Sequence, residues 1–280
     1  MFSDVLLTVD FDRTLTAPDS TIPQRNIEAI RYFTENGGAF TINTGRSINT
    51  MGELLHTLPV NVPFLLYNGS AAYDHGTLLN CREIPLDIWQ TMEEIHSQFP
   101  EMNLEIESDG PHHLYQSTEL YRKFYDALGW QHQEAVPGTE IRPFLKVSLF
   151  GPVREMNVSH FYHGPEAEIA RIDYIESWLR EKYAGKISVF RAAPRIIDFH
   201  AAGVNKGVAA RELQAQLGRK ILVCVGDAEN DILMLNNADH AFVPADAILA
   251  DRYETVCNCA DGAIADVIYK KIPNILHIQP

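Results

Sequence analysis

The residues that most constrain this chain are Val5-Leu6-Leu7-Thr8-Val9, followed by Asp10-Phe11-Asp12. An uncharged apolar run of this length, bounded by polar residues, reads as a strand buried on both faces. Such strands belong to sheets covered by helices on each side. Two aspartates then stand at positions i and i+2, at the C-terminal end of that strand, where open α/β sheets bind their ligands. Carboxylates this close repel each other unless a cation offsets them. Mg²⁺ fits that need, being a hard ion that takes oxygen ligands and shares its shell with substrate phosphates. An aspartate can also attack phosphorus and form an aspartyl-phosphate. These residues therefore suggest phosphoryl transfer through Asp10. They equally fit a strand ending in a polar turn with Asp12 as a cap, and at this point both readings stand.

The stretches that follow repeat the βα pattern. Thr21 and Pro23 open a helix with Ile27, Ala29, Ile30 and Phe33 along one side, and Asn36-Gly37-Gly38 ends it. Ala39–Ile42 reads as a second strand, delivering Asn43-Thr44-Gly45-Arg46-Ser47 ahead of a helix marked by Met51, Leu54 and Leu55. Strand, small polar residues, glycine, then helix is the form of an anion-binding loop. The Thr44 hydroxyl and Gly45 N–H are its candidate phosphate donors, although Thr-Gly is also ordinary loop chemistry. Phe64–Tyr67 reads as a third strand, and Ala71–Leu79 as a hairpin arm.

From about Pro85 the pattern changes to helices and hairpins. Helices are expected near 86–99, 118–128 and 165–183, with strands near 103–107, 112–116, 145–150, 186–190 and 195–199. Asp109-Gly110 is a strong hairpin signal between the first two of those strands. This stretch reads as a separate α+β module inserted into the sheet domain. The βα pattern resumes with Gly203-Val204-Asn205-Lys206-Gly207 before a helix carrying Val208, Leu213 and Leu217. A lysine in a first helical turn opposes the helix dipole and calls for a nearby anion. By itself, Lys206 also fits a solvated surface residue. Ile221–Val225 is another apolar strand, and it ends in Gly226-Asp227-Ala228-Glu229-Asn230-Asp231. Carboxylates again collect at a strand end, though Asp231 alone fits a helix cap. Last strands are expected at 241–243 and 255–257.

A net charge of −14, from 37 acids against 23 bases, argues against a nucleic-acid partner. It is compatible with phosphorylated metabolites held by local cations and backbone N–H groups. Cys81, Cys224, Cys257 and Cys259 form no C-x-x-C pair and read as free thiols in a reducing cytoplasm. Cys257 and Cys259 are expected on one side of a strand. No leader or membrane-spanning run is read, so the expectation is a cytoplasmic protein without a membrane partner.

Taken in order, Asp10 and Asp12, Thr44-Gly45-Arg46, Lys206 and Gly226-Asp227-x-x-Asn230-Asp231 resemble the haloacid dehalogenase superfamily of phosphohydrolases. The inserted module resembles the type IIB cap of its Cof-type subfamily. The resemblance implies a doubly wound, mostly parallel, Rossmann-like α/β core of residues 1–84 and 201–280, with an α+β cap of residues 85–200. It places the active site between them. It also implies that Asp10 is the nucleophile and that Asp12 is the acid for the leaving oxygen, then the base for water. Mg²⁺ would be held by the Asp10 carboxylate, the Asp12 carbonyl and Asp227, with Asp231 positioning the metal or its waters. Thr44, Gly45 and Lys206 would hold the phosphate, with Asn230 orienting Asp10, Lys206 or the substrate. Arg46 would point toward the substrate or the cap. His112, His113, Tyr115, Tyr121, Tyr125, Arg191 and Arg195 are cap candidates for substrate contact, each weighed against plain packing or solvation.

Two departures stand out. Arg13 occupies the position of the glycine in the family's Asp-x-Asp-Gly-Thr. The preferred reading is a backbone that does not need glycine there; the others are weakened activity and an arginine contact with an anionic substrate. Asp246 stands in Ala245-Asp246-Ala247, where Cof-type proteins usually have Gly-Asn-Ala. The expected function is Mg²⁺-dependent hydrolysis of a small phosphorylated metabolite, sugar phosphates included. A phosphomutase or phosphotransferase on the same fold and a non-catalytic phosphometabolite-binding protein are the rivals. The sequence leaves the oligomeric state open.

Overall fold

A computed structural model of the chain describes residues 1–278, less the side chains of residues 158 and 159. The chain forms two compact units. One comprises residues 1–45, 53–79 and the chain from Asn205 onward; the other comprises residues 46–52 and 80–204.

The first unit is built on a parallel sheet. Its strands lie in the order Glu254–Val256, His240–Pro244, Ile221–Val225, Val5–Val9, Ala39–Ile42. Every residue of Val5–Val9 is buried, as its uncharged composition requires. Leu6 packs in one core with Ala39, Leu213, Leu222, Cys224 and Met234. Val9 is in register with both Ile42 and Val225. Residues 10, 43 and 226 therefore leave the sheet side by side. Successive strands are added to opposite sides of Val5–Val9, so the switch point lies between it and Ile221–Val225. This is the doubly wound α/β architecture expected from the sequence.

Some elements differ from expectation. Phe64–Leu66 does not extend the parallel sheet. It pairs antiparallel with Ala71–Asp74 in a three-stranded sheet completed by Thr77–Cys81, and a single bridge joins its Leu65 to Asn43. The helix expected around Met51–Leu55 is two short ones, Ile48–Met51 and Leu54–Thr57, separated at Gly52 with φ 48°. Cys257 and Cys259 lie past the strand Glu254–Val256, and Cys259 opens a turn, so they do not share a strand face. All four cysteines are free.

The second unit holds a six-stranded sheet in the order Ile187–Ala193, Ile196–Ala201, Lys146–Phe150, Asn103–Glu107, His112–Tyr115, His132–Glu134. Its pairs are antiparallel except the last. The period of two along each strand sorts the side chains onto two faces. Leu104, Ile106, Val147, Leu149, Ile197 and Phe199 pack with residues of helices Ile88–Gln98 and Glu166–Lys182. Their alternates, Glu105, Glu107, Lys146, Ser148 and Asp198, are polar yet buried. Lys146 Nζ lies 2.6 Å from Glu107 and 3.6 Å from Asp198, and Ser148 Oγ lies between the two carboxylates, 2.9 Å from Glu107 Oε1 and 2.7 Å from Asp198 Oδ1, with one proton to donate. Breaking a buried ion pair from one side strands its partner charge. Lys146→Met should therefore lower unfolding stability by about 3–5 kcal/mol, read as a shifted urea midpoint.

Candidate active site

The carboxyl ends of the two central strands bring the acidic residues together. Asp10 follows Val9, its N–H donating to the Val225 carbonyl at 2.9 Å. Asp227 follows Gly226 at the end of the neighbouring strand. Gly226 is required here, because a Cβ on it would lie 2.6 Å from Asp231 Cβ. That absence of bulk lets Asp231 fold back, its Oδ2 accepting from the N–H groups of Asp227 (3.0 Å) and Ala228 (3.2 Å). Lys206, fully buried, donates 2.5 Å to Asp10 Oδ1 and 2.7 Å to Asp231 Oδ1. The surface-lysine reading is thereby overturned: the anion demanded by its place in the first turn of Lys206–Gln216 is supplied twice. Asn205 caps that helix by accepting from the Val208 N–H at 2.9 Å.

Asp10, Asp227 and Asp231 each offer an oxygen, and these oxygens lie within 4.8 Å of one another. Burial pushes the Asp10 carboxyl well up, Lys206 opposes this, and Asp231, Asp227 and Asp12 add to the rise. Burial, with Asp231 next, raises Asp227 to about 7, against the pull of Lys206, Thr14 and Arg13. Carboxylates behave this way when their site lacks positive charge. An all-oxygen donor set with that deficit fits a hard divalent cation. Asp231 has both oxygens engaged, so it suits the role of anchoring Lys206 and the loop.

Thr44 is buried, its N–H donating to Leu65 and its carbonyl accepting from the Asn68 N–H. A Cβ on Gly45 would lie 3.0 Å from Asn68 Oδ1, so this loop is packed against Asn68. Asn230 Nδ2 reaches the same Asn68 Oδ1 at 3.5 Å. Asn43, fully buried, donates to the Lys206 carbonyl at 2.8 Å and ties the second strand's end to the lysine helix. Thr14 Oγ1 donates to Asp227 Oδ1 at 3.3 Å. No sequence signal marks Asn43, Asn68 or the Thr14 contact as part of the site. Asn68 sits at φ 53°, in the left-handed region.

Arg13 corrects the preferred sequence reading. Its backbone sits at φ 58°, ψ 11°, in the left-handed region that glycine occupies freely. The loop enforces this conformation: Thr16 Oγ1 accepts from the Arg13 N–H at 3.1 Å, and the Thr16 N–H donates to the Phe11 carbonyl at 3.0 Å. An L-residue there costs about 1–2 kcal/mol. Asp246 accepts from the Cys259 N–H (2.9 Å) and from its thiol (3.2 Å). Its extra charge is thus used to fasten the turn at Cys259.

In the second unit, the ring nitrogens of His112 lie 2.9 Å from the Tyr125 hydroxyl and 2.7 Å from Ser47 Oγ. His113 meets Ser108 and Gln133; the Tyr121 and Tyr115 hydroxyls donate to Glu105 and Glu93. Arg191 pairs with Asp173 and Glu176. Arg195 is clamped by Glu168 and by the His160 and Pro152 carbonyls. Each of these candidates is engaged inside its own unit. Among the described residues, no helix is long and apolar enough to cross a membrane.

The model of the haloacid dehalogenase-like hydrolases matches residues 7–249. An HMP-PP phosphatase of Serratia proteamaculans is 24% identical over 275 residues, covering 93% of this chain and 92% of the relative. A 5-amino-6-(5-phospho-D-ribitylamino)uracil phosphatase of Bacillus subtilis is 22% identical, covering 83% and 80%. Among solved structures, a HAD subclass IIB sugar phosphatase superposes with a TM-score of 0.73 at 20% identity, covering 97% of this chain and 98% of that one. The chain belongs to the haloacid dehalogenase-like hydrolases, and several of its relatives are named as phosphatases.

Proposed function

We propose that this protein is a Mg²⁺-dependent phosphomonoesterase that hydrolyses a small phosphorylated metabolite through an aspartyl-phosphate on Asp10. One observation carries the reading: Lys206, buried, bridges Asp10 and Asp231 beside Asp227 at the sheet's switch point. Lys206 pairs with Asp10 and Asp231, Arg13 stands 3.9 Å from Asp227, and Asp12 adds negative charge felt at Asp10. A phosphate dianion entering that field is repelled unless a divalent cation is added.

In this reading Asp10 attacks phosphorus while Lys206, freed from part of its pairing, offsets charge on the transferring group. Asp12 protonates the leaving oxygen, then takes a proton from the water that attacks the phosphoenzyme. Thr44, Gly45, Lys206 and Asn230 hold the phosphoryl oxygens, with Asn68 fixing Gly45 and Asn230. Asp10, the Asp12 carbonyl and Asp227 would hold Mg²⁺, supported by Asp231. When bound, it supplies electrostatic stabilisation of the phosphate's negative charge. Residues 1–84 and 201–280 would form the catalytic core, and residues 85–200 the cap that selects the substrate.

The relatives suggest the panel: HMP-PP, a ribitylaminouracil phosphate, sugar phosphates, and p-nitrophenyl phosphate as a general probe. Phosphate release in Mg²⁺ but not in EDTA supports the proposal. Transfer to an added sugar without free phosphate would favour the phosphotransferase alternative, and tight binding without turnover across the panel the non-catalytic one.

The raised Asp227 pKa gives a pH prediction. In metal-free protein the folded state binds protons on Asp227 between its ordinary value and about 7, so that group's contribution to stability falls as pH rises through this window. A cation that needs the ionised carboxylate competes with those protons. The Mg²⁺-induced rise in Tm should therefore be larger at about pH 8 than at about pH 5.5, which a thermal-shift series checks.

A further inference from the structure

We propose that Arg13 is a built-in competitor for the divalent cation, pairing with Asp227 in the metal-free protein and lowering the site's affinity for metal. The proposal rests on the metal-dependent reading above. Arg13 and Thr14 face the two oxygens of one carboxylate. Thr14 Oγ1 donates to Asp227 Oδ1 at 3.3 Å, and Arg13 Nε stands 3.9 Å from Asp227 Oδ2. Asp227 has only 6% of its side chain exposed, whereas the Arg13 side chain is 48% exposed. Among the described residues the Arg13 guanidinium makes no hydrogen bond, and Asp227 is its only carboxylate within 4.0 Å. One end of this pair is therefore fixed in the site, and the other is free to swing into water.

The backbone sharpens the point. A left-handed residue held by Thr16 gives glycine every advantage, yet the chain carries its bulkiest cation there. Strain of this kind, once observed, points to a task for the side chain. A guanidinium at Asp227 Oδ2 occupies the charge complement that a metal ion would otherwise supply. It also repels a divalent ion approaching the same oxygen. Metal uptake then requires Arg13 to turn outward. Because the arginine is half exposed, the competition is partly screened and weakens as salt rises.

The test is Mg²⁺ alone, titrated calorimetrically into the full chain without substrate, at low and high ionic strength. The forms compared are wild type, Arg13→Gln, Arg13→Gly and Asp227→Asn. Arg13→Gln removes the charge but keeps the strained backbone, and Arg13→Gly removes both. The expected result is a Kd about three- to tenfold lower in both Arg13 variants at low salt, a gap that narrows at high salt. Arg13→Gly should also raise the metal-free Tm, which Arg13→Gln should not. Equal or weaker Mg²⁺ binding by Arg13→Gln, beside wild type that binds, overturns this proposal alone. Absence of Mg²⁺ uptake by every form overturns the metal-dependent reading and this proposal with it.

Discussion

Asp10→Asn is expected to reduce phosphate release by about 10⁴-fold or more while leaving a folded protein. Loss of a nucleophile removes the covalent route outright, and effects of this size are usual for it. The variant should fold because the Asp10 charge is buried at a net cost in the metal-free state, and Lys206 keeps its bond to Asp231. Burial and three neighbouring aspartates raise its carboxyl against the pull of Lys206. Replacing it with a neutral amide of the same shape relieves that field. The expected Tm of the metal-free variant is thus equal to or above that of wild type, measured beside its p-nitrophenyl phosphate turnover. Turnover near the wild-type level would remove Asp10 from the chemistry.

The second large effect concerns Lys206→Met. The ammonium is fully buried and bonded to two carboxylates, and its removal leaves Asp10 and Asp231 without their direct cation. Stripping one partner from a buried pair costs about 3–5 kcal/mol. The urea midpoint of metal-free protein should fall accordingly, and turnover should be lost with it. A double variant tests the cause. Asp10→Asn combined with Lys206→Met should recover part of the lost stability, because the stranded charge is then gone. A double variant as unstable as the sum of the single ones would mean that Lys206 acts through packing instead.

The parts of this site that were legible in the sequence share one property. Asp10, Asp12, Asp227 and Lys206 follow apolar strands or open a helix, so a local pattern announces each position. Parallel strands then bring their ends together without further information. Asn43 and Asn68 were not legible because their partners are remote. Asn43 meets a carbonyl 163 residues away, and Asn68 meets a side chain 162 residues away. Nothing in the neighbouring residues marks such contacts. The φ of Arg13 is not legible in the sequence for a related reason. Its sign is set by Thr16 closing the loop, and the residue type itself argues against it. Among strands, His132–Glu134 carries no sequence signal, because it is short and lacks an apolar face. In the second unit the pattern gave the sheet but not its buried ion network. Glu105, Glu107 and Asp198 alternate with apolar residues as solvent-facing ones would, yet they are buried.

The central claim is that phosphate leaves the substrate in two displacements, first by Asp10 and then by water. The steric course at phosphorus tests it most directly, with a phosphorothioate monoester made chiral by ¹⁶O and ¹⁸O and hydrolysed in H₂¹⁷O in the presence of Mg²⁺, so that the thiophosphate released is itself chiral. Two in-line displacements predict overall retention of configuration. Inversion, the signature of a single direct attack by water, would contradict the account.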